Sequence, residues 1–505
     1  MSQRTGIHID PRRNEPLYKQ IYDELVSRIR AGEYPTGHRL PPSRNLAREL
    51  ATHRNTVARA FDALEQSGFV YSVVGRGTFV AAQPGSAAPA AEPLPTLPWN
   101  ALLSRAADAE PLARLDRMVH SVQRTDLVNL TSLYPSADLL PANALRRCLD
   151  HVLRTCPAES LSFAPRYGIP RLREAIAGLL RAAGVPVGPD DLLITSGSQQ
   201  ALDLFARALI NPGDVLLAEE YTYTGVLTAF AAAGATIVGV SGDAEGPDME
   251  VLRRLGRNGA KAFYLMPNCG NPTGASVSLA RRKQLVAWSH EFGIPLIEDD
   301  YGADLDLQGG PRIPALRALD ADVLYVGTFS KRLIPALRVG FLACPQLLRR
   351  RLVMLKHSMD LGTSALIQQA LAEFIERGYL RAHLRRIIPA YRSRRDALEA
   401  GLREHLPPGI EWQQPRRGGF LWLKLPPAYD TELVFEEAQR HGVLVSPGAL
   451  HSVHRPQHGG IRLTFCAEPP ERLAEGARRL GSALRELAAR ATLESSAAAP
   501  GMDGV

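Results

Sequence analysis

Residues 323–331 read VLYVGTFSK, an apolar run that ends in small hydroxyl residues and a lysine. The run predicts a buried strand, and Lys331 would stand at its carboxyl end, where α/β sheets place their ligands. A lysine in this position can form a Schiff base with a carbonyl compound, although an ordinary surface lysine would fit the same pattern. The stretch therefore predicts an α/β fold and one candidate reactive amine.

Three further motifs precede this stretch along the chain. LLITSGSQQA at 192–201 predicts a strand, a turn and a helix whose first N–H groups can bind phosphate. MPNCGNPTG at 266–274 is a turn signal, and IPLIEDDY at 294–301 predicts a buried strand that ends in acids and a phenol. Each motif alone has an ordinary explanation, such as a common turn or a solvated strand end. Together they offer what pyridoxal phosphate (PLP) needs: a lysine, an acid for the ring nitrogen and donors for the phosphate.

Residues 126–489 resemble a class I/II aminotransferase of fold type I in the order and spacing of these motifs. The resemblance implies an α/β domain with a mostly parallel sheet, flanking helices and a smaller α+β C-terminal subdomain. It implies that Lys331 forms the internal aldimine with PLP and that Asp299 faces the ring nitrogen. Arg462, in GIRLTF, matches the arginine that takes the α-carboxylate of a substrate or effector.

The same resemblance assigns further residues to the cofactor. Those near the ring are Tyr223, Asn271 and Tyr301, and those for the phosphate are Ser198, Gln199, Ser330 and Arg338. Tyr221 competes with Tyr223 for the position that stacks on the ring. Tyr167 is matched to the tyrosine that binds the phosphate of a partner subunit, which implies a homodimer.

The first 80 residues have a different pattern, typical of a small helical domain. Apolar residues every four positions predict a helix over Leu17–Ala31, and Ser43 is expected to cap a second helix, Arg44–Leu50. A third helix is predicted from Asn55 to Ser67, and a β-hairpin with its tip at Gly75-Arg76-Gly77 follows. These elements make a winged helix-turn-helix.

Charge in this module favours DNA as its partner. Residues 39–59 hold five arginines and one acid, a local balance of 5 − 1 = +4. Arg54, Asn55 and Thr56 open the third helix, whose N-terminal end would meet base edges in the major groove. Arg44 could hold a phosphate, and Arg76 could enter the minor groove. A solvated basic face or a protein-docking module would show the same spacing.

Residues 16–80 resemble the DNA-binding domain of the GntR family. The resemblance rests on the LPPSR entry, the RNTV helix start and the GRGTFV wing. Composition then separates four segments: the winged helix-turn-helix at 1–80, a Pro/Ala-rich linker at 81–98, the aminotransferase-like domain at 99–489, and a tail at 490–505 expected to be disordered. Five scattered cysteines, no metal motif and no apolar leader indicate a cytoplasmic protein without a metal site or a membrane partner.

A GntR head followed by this domain is the architecture of MocR/GabR-type transcription regulators. The resemblance implies a dimer that binds a DNA operator and senses an amine or amino acid through external aldimine formation. The GNPTG loop has the form found in working aminotransferases, so transaminase activity stays open. The alternatives are an active aminotransferase with an accessory head and an enzyme with a protein-docking head.

Overall fold

The computed structural model describes residues 6–13, 15–73, 76–81, 97–121, 126–302, 304–454 and 459–497. The chain divides into two compact units, Met1–Leu102 and Leu103–Val505. Most of the predicted linker and Gly75 of the predicted wing tip lie outside the described residues. In the part of the chain that is described, no helix has both the length and the apolar character that a membrane span requires.

The small unit contains the three helices and the hairpin that the sequence predicts, and a short fourth helix follows them. Its elements are α1 (Leu17–Arg30), α2 (Ser43–Glu49), α3 (Arg54–Gln66), β1 (Val70–Val73), β2 (Gly77–Val80) and the short α4 (Trp99–Leu102). Ile21 and Leu25 of α1 pack with Val57 and Leu64 of α3 in a buried core. The strands pair antiparallel, and Glu65 accepts hydrogen bonds from the Ser72 amide (2.9 Å) and hydroxyl (3.0 Å). The hairpin is thereby tied to α3.

The expected cap of α2 is wrong. Pro42 occupies the N-cap position, Ser43 is the first helical residue, and no side-chain cap hydrogen bond forms. Proline is tolerated at the start of a helix because its missing N–H would have no partner there.

The large unit alternates helices and strands. Its helices are α5 (Glu110–Ser121), α6 (Ala142–Thr155), α7 (Pro157–Leu161), α8 (Pro170–Ala182), α9 (Ser198–Leu209), α10 (Thr224–Ala232), α11 (Met249–Gly256), α12 (Leu279–Phe292), α13 (Leu316–Leu319), α14 (Gln346–Asp360), α15 (Ala365–Glu376), α16 (Tyr379–His405), α17 (Thr431–Arg440) and α18 (Pro470–Ala497). Its strands are β3 (Val128–Asn129), β4 (Leu192–Thr195), β5 (Val215–Glu219), β6 (Thr236–Val240), β7 (Gly242–Asp243), β8 (Gly246–Pro247), β9 (Ala262–Leu265), β10 (Leu296–Asp299), β11 (Leu324–Thr328), β12 (Gly340–Ala343), β13 (Phe420–Lys424), β14 (Val443–Leu444), β15 (Ser446–Pro447) and β16 (Gly460–Thr464). Helix α18 continues past residue 489, where the predicted domain ends.

Within the described ranges, seven strands form the central sheet in the order β4–β12–β11–β10–β9–β5–β6. Neighbours from β11 to β6 are parallel, whereas β12 runs antiparallel to both β11 and β4. Successive residues of β4 enter different cores, Leu193 on one face and Ile194 on the other. Helices cover both faces, which explains the unbroken apolar strands of the sequence. The predicted mostly parallel sheet is confirmed.

A smaller α+β subdomain follows the long helix α16. Strands β13, β16 and β15 form an antiparallel sheet, and α16, α17 and α18 pack beside it. The ends of β10 and β11 place Asp299 and Lys331 at the carboxyl edge of the central sheet. This edge, together with β15 and β16, positions the candidate site.

Candidate functional site

A cavity of about 370 Å³ lies between the carboxyl edge of the central sheet and the smaller subdomain. Tyr223, Asn271, Lys331 and Arg462, four residues that the resemblance assigns to the site, line it together. They come from four separate stretches of the chain. Apolar side chains form much of the remaining wall: Leu115, Met118, Leu133, Phe435, Leu444, Val445 and Leu450.

Lys331 follows β11 and projects into this cavity. Burial lowers the pKa of its amine, and the positive charges of Arg462 and Arg338 lower it further. Among the described residues, no hydrogen bond holds the Lys331 amine. Such a desolvated lysine has the properties of a Schiff-base nucleophile.

Asp299 ends β10 and is buried. The Tyr264 hydroxyl donates a hydrogen bond of 3.0 Å to Asp299 Oδ2, whereas buried Asp299 Oδ1 has no partner in the described structure. Burial raises the pKa of Asp299 to about 7, and the hydrogen bond from Tyr264 opposes this shift. A buried carboxylate oxygen without a donor is costly, so this position fits a protonated ring nitrogen.

The turn before α9 and Arg338 form a close-packed cradle. Gly197 has a φ of +84°, and a Cβ there would lie 2.7 Å from Arg338 Nη2. A Cβ on Gly340 would lie 2.6 Å from the carbonyl carbon of Gly197, so both positions require glycine. Arg338 Nη2 donates to the Ser196 carbonyl (3.3 Å), beside Ser198 at the first turn of α9. A guanidinium beside a helix N-terminus suits a phosphate.

A polar network supports this cradle. Asp360 accepts hydrogen bonds from the Ser196 hydroxyl (3.2 Å) and Gln200 Nε2 (2.8 Å), and it pairs with buried Lys356 at 2.7 Å. Ser330 is buried, and its hydroxyl accepts a hydrogen bond of 3.2 Å from Thr328. The sequence offered no signal for Asp360, because the contact joins residues far apart in the chain.

Three of the assigned residues already bind neighbours in the chain. The Tyr223 hydroxyl donates to Gln199 Oε1 (3.3 Å), and Gln199 Nε2 donates to the Gly225 carbonyl (2.8 Å). Tyr301 donates to the Cys269 carbonyl (3.0 Å). The phosphate role of Gln199 and the place of Tyr301 near the ring stay predictions. Tyr221 packs against Trp422 with ring centroids 5.2 Å apart, and only Tyr223 of the two lines the cavity.

Arg462 lies in β16 and lines the cavity, whereas Ser198 and Arg338 of the cradle do not. It donates to Asn271 Oδ1 (2.8 Å) and to the Thr131 carbonyl (3.1 Å), while its buried Nε has no partner in the described structure. Burial lowers the pKa of Arg462 to about 10. A desolvated guanidinium with a free donor is suited to binding a carboxylate.

Tyr167 does not line the cavity of its own chain. Its carbonyl accepts a hydrogen bond of 3.1 Å from the Ile194 amide, which fixes this segment against β4. The nearby side chains of Leu161 and Phe163 are 71% and 82% exposed. Apolar exposure of this kind is typical of a surface that another chain covers.

In the small unit, the predicted DNA contacts lie on exposed surface. Arg54 and Asn55 begin α3 and are exposed, Thr56 is half-buried, and Arg44 is exposed on α2. Arg76 is exposed beside β2, and its amide donates to the Val73 carbonyl (2.9 Å). These side chains are available to a nucleic acid.

Comparison with known proteins agrees with this geometry. Residues 136–480 match the family described as "Aminotransferase class I and II", and residues 17–80 match "Bacterial regulatory proteins, gntR family". The class I/II family is PLP-dependent, and the GntR domain is a DNA-binding domain. Both matches fall on the stretches where the sequence motifs lie.

Individual relatives share one or both units. The chain is 32% identical over 488 residues to a probable rhizopine catabolism regulatory protein, MocR, of Rhizobium meliloti, covering 96% of each chain. It is 33% identical over 401 residues to aromatic-amino-acid aminotransferase 1 of Thermococcus litoralis, covering 78% of this chain and 96% of that one. The α-aminoadipate aminotransferase LysN of Thermus thermophilus, solved with N-(5'-phosphopyridoxyl)-L-leucine, has a TM-score of 0.72 at 30% identity, covering 78% of this chain and 100% of that one. The chain therefore belongs to the class I/II aminotransferase family and, through its GntR head, to the MocR-type transcription regulators.

Proposed function

We propose that this protein binds PLP in its large unit and uses it to sense an amine or amino acid that changes operator binding. The observation that carries the proposal is the unpartnered buried oxygen of Asp299, at the same sheet edge as Lys331, in a chain whose helix α3 also begins with the exposed Arg54 and Asn55. In this proposal DNA binds to the small unit and the effector binds to the large unit. Because the chain acts on DNA, we place it in the cytoplasm.

Cofactor and effector would be bound by four assigned residues of the cavity wall together with residues of the cradle and the sheet edge that do not line the cavity. When bound, PLP supplies a ring that withdraws electrons from the carbon beside an amine. The Asp299 carboxylate would accept a hydrogen bond from the protonated ring nitrogen, and Arg338 and Ser198 would bind the phosphate, with Ser330 and Gln199 close by. Lys331 would hold the cofactor through its amine, and Arg462 would orient the effector carboxylate. Tyr223, Asn271 and Tyr301 would lie near the ring.

A dimer completes this arrangement. We place Tyr167 of the partner subunit at the phosphate, and the exposed Leu161 and Phe163 support an interface next to it. Effector binding changes DNA affinity only if it favours one arrangement of the units over another. We propose that this difference repositions the two heads on a two-site operator, where Arg54, Asn55 and Thr56 read bases and Arg44 and Arg76 contact the backbone and minor groove.

Parallel titrations test this function. Purified protein is titrated with a panel of amino compounds while cofactor absorbance and operator binding are both measured. The compound that shifts the spectrum should also shift operator affinity, and Lys331→Ala should abolish both responses. Lys283→Ala, at an exposed lysine outside the cavity, should keep them. Operator binding that stays the same with every spectrally active compound would contradict the regulator proposal.

A second candidate function is aminotransfer. The lowered pKa of Lys331 makes its amine able to take up and return a proton, and this favours turnover as well as sensing. Detection of a keto acid from the spectrally active amino acid, absent in Lys331→Ala, would establish this activity. It would not exclude regulation.

A further inference from the structure

Two polar side chains that the proposed function leaves unused, Ser446 and His451, lie in the cavity wall. His451 is 2% exposed and Ser446 is 5% exposed. His451 Nε2 lies 2.9 Å from the Ser446 hydroxyl, and His451 Nδ1 lies 3.3 Å from the Thr222 carbonyl. The two side chains form one hydrogen-bonded unit.

The partners decide where the hydrogens are. The Thr222 carbonyl can only accept, so His451 Nδ1 carries the hydrogen and His451 Nε2 is left as an acceptor. Burial and the positive charge of Arg462 lower the pKa of His451 well below its usual range, which keeps the ring neutral. The Ser446 hydroxyl must then donate to Nε2. The Ser446 hydroxyl oxygen therefore presents its lone pairs to the cavity and acts there as a hydrogen-bond acceptor.

This acceptor lies beside the residue proposed to bind the carboxylate. Ser446 and Arg462 are directly paired across the antiparallel strands β15 and β16, which puts their Cβ atoms about 5 Å apart on one face. Among the described residues that line the cavity, only Lys331 and Arg462 carry a positive charge. The other described lining residues are apolar or carry neutral polar groups such as the hydroxyls of Ser132 and Thr224, so none of them would neutralise a second carboxylate.

We propose that Ser446, oriented by His451, is a specificity site for an α-amino acid whose mainly apolar side chain carries one neutral hydrogen-bond donor. The inference rests on the proposed sensing function and narrows its effector. A hydroxyl or amide N–H fits the lone pairs of Ser446. A side-chain carboxylate does not, because it would face an acceptor while the neighbouring cation, Arg462, is taken up by the α-carboxylate.

Matched pairs of amino acids test this specificity. Apparent dissociation constants are measured from cofactor absorbance of the full-length protein with L-threonine against L-valine and with L-tyrosine against L-phenylalanine. In the pair whose hydroxyl reaches Ser446, the hydroxyl compound should bind about three- to ten-fold tighter, as expected for one neutral hydrogen bond. Ser446→Ala should remove this preference, Ser446→Thr should keep it, and Ser482→Ala on α18 should leave it unchanged.

The His451→Phe variant gives a second test, with a result that a merely structural role of His451 would not produce. Without His451, the Ser446 hydroxyl can rotate and donate, so the protein should lose its discrimination between L-glutamine and L-glutamate while still binding amino acids. Equal binding within both hydroxyl pairs, or a preference that survives Ser446→Ala, would overturn the specificity site. Absence of any spectral response to amino acids would instead overturn the proposed function.

Discussion

The cavity and the start of α3 use charge in opposite ways. Lys331 and Arg462 of the cavity wall and Asp299 of the same sheet edge are desolvated, and burial shifts the pKa of each toward its neutral form. On α3, Arg54 stands exposed in water. Desolvated groups are reactive and little screened by salt, whereas exposed cations bind a polyanion by releasing its counterions. Cofactor chemistry should therefore tolerate salt that greatly weakens DNA binding.

The largest effect is expected from the contrast between half-buried Lys331 and buried Lys356. Lys356 is paired with Asp360, whereas the Lys331 amine has no hydrogen bond among the described residues. Borohydride reduction followed by mass spectrometry of peptides should place the cofactor entirely on Lys331. Lys331→Ala should show no covalent label, and Lys356→Met should keep it. Label on Lys356 in the unaltered protein would contradict the assignment.

The next largest effect is expected on the pH dependence of the free energy of unfolding of the cofactor-free protein. The folded pKa of Asp299 is raised to about 7, so between pH 4 and 7 the unfolded chain loses this proton while the folded chain keeps it. Stability from this group is therefore lost as the pH rises through that window, by up to about 4 kcal/mol. Denaturant unfolding of Asp299→Asn should show a smaller loss from pH 4 to pH 7.

The comparison with the unaltered protein is needed here because Glu219 and Glu298 also have pKa values raised to about 7. Both remain in the variant, so their contributions cancel in the difference between the two proteins. Identical pH dependence of the two proteins would show that Asp299 keeps an ordinary pKa when folded.

We expect Arg462 to strengthen the binding of compounds that carry a carboxylate and not the binding of amines that lack one. Arg462→Ala should weaken an amino acid effector about 100-fold, which is the loss of a buried charge-assisted contact of about 3 kcal/mol. The matching amine without a carboxylate should bind nearly as before. Absorbance titrations with L-phenylalanine and phenethylamine give both numbers. An equal loss for the two compounds would mean that Arg462 only supports the fold.

The smallest effect is expected at the DNA surface. Arg54→Ala should reduce operator binding by about 1–3 kcal/mol relative to random DNA, as expected for a base-reading arginine. Arg44→Ala is the matched control, since a phosphate contact is lost equally on both DNAs. Gel-shift or fluorescence titrations at one salt concentration measure both. If Arg54→Ala behaves like Arg44→Ala, Arg54 contacts only the backbone.

The local sequence pattern predicted the helices and strands well. It did not predict contacts between segments that are far apart in the chain. The periodicity at Ile21 and Leu25 places α1 within a residue of its observed end, because burial of one helix face leaves a regular trace. The motif around Lys331 likewise predicted the strand before it. Tyr264, which donates a hydrogen bond to Asp299, lies within an apolar strand and resembles its neighbours in the sequence. His451 contacts the Thr222 carbonyl only in the folded chain, because the two residues are far apart in the sequence. Nothing local distinguishes either residue.

Helix α5 has a practical consequence for dividing the protein into parts. Arg114 of α5 donates to the carbonyls of Ala449 and Ser452, and Leu115 and Met118 of the same helix form part of the cavity wall. The match to the aminotransferase family begins only at residue 136. A shortened sensor cut at that boundary would lose one wall and leave the cavity open to solvent. A sensor that begins at residue 103 keeps α5 and is the piece to express for ligand screening without DNA.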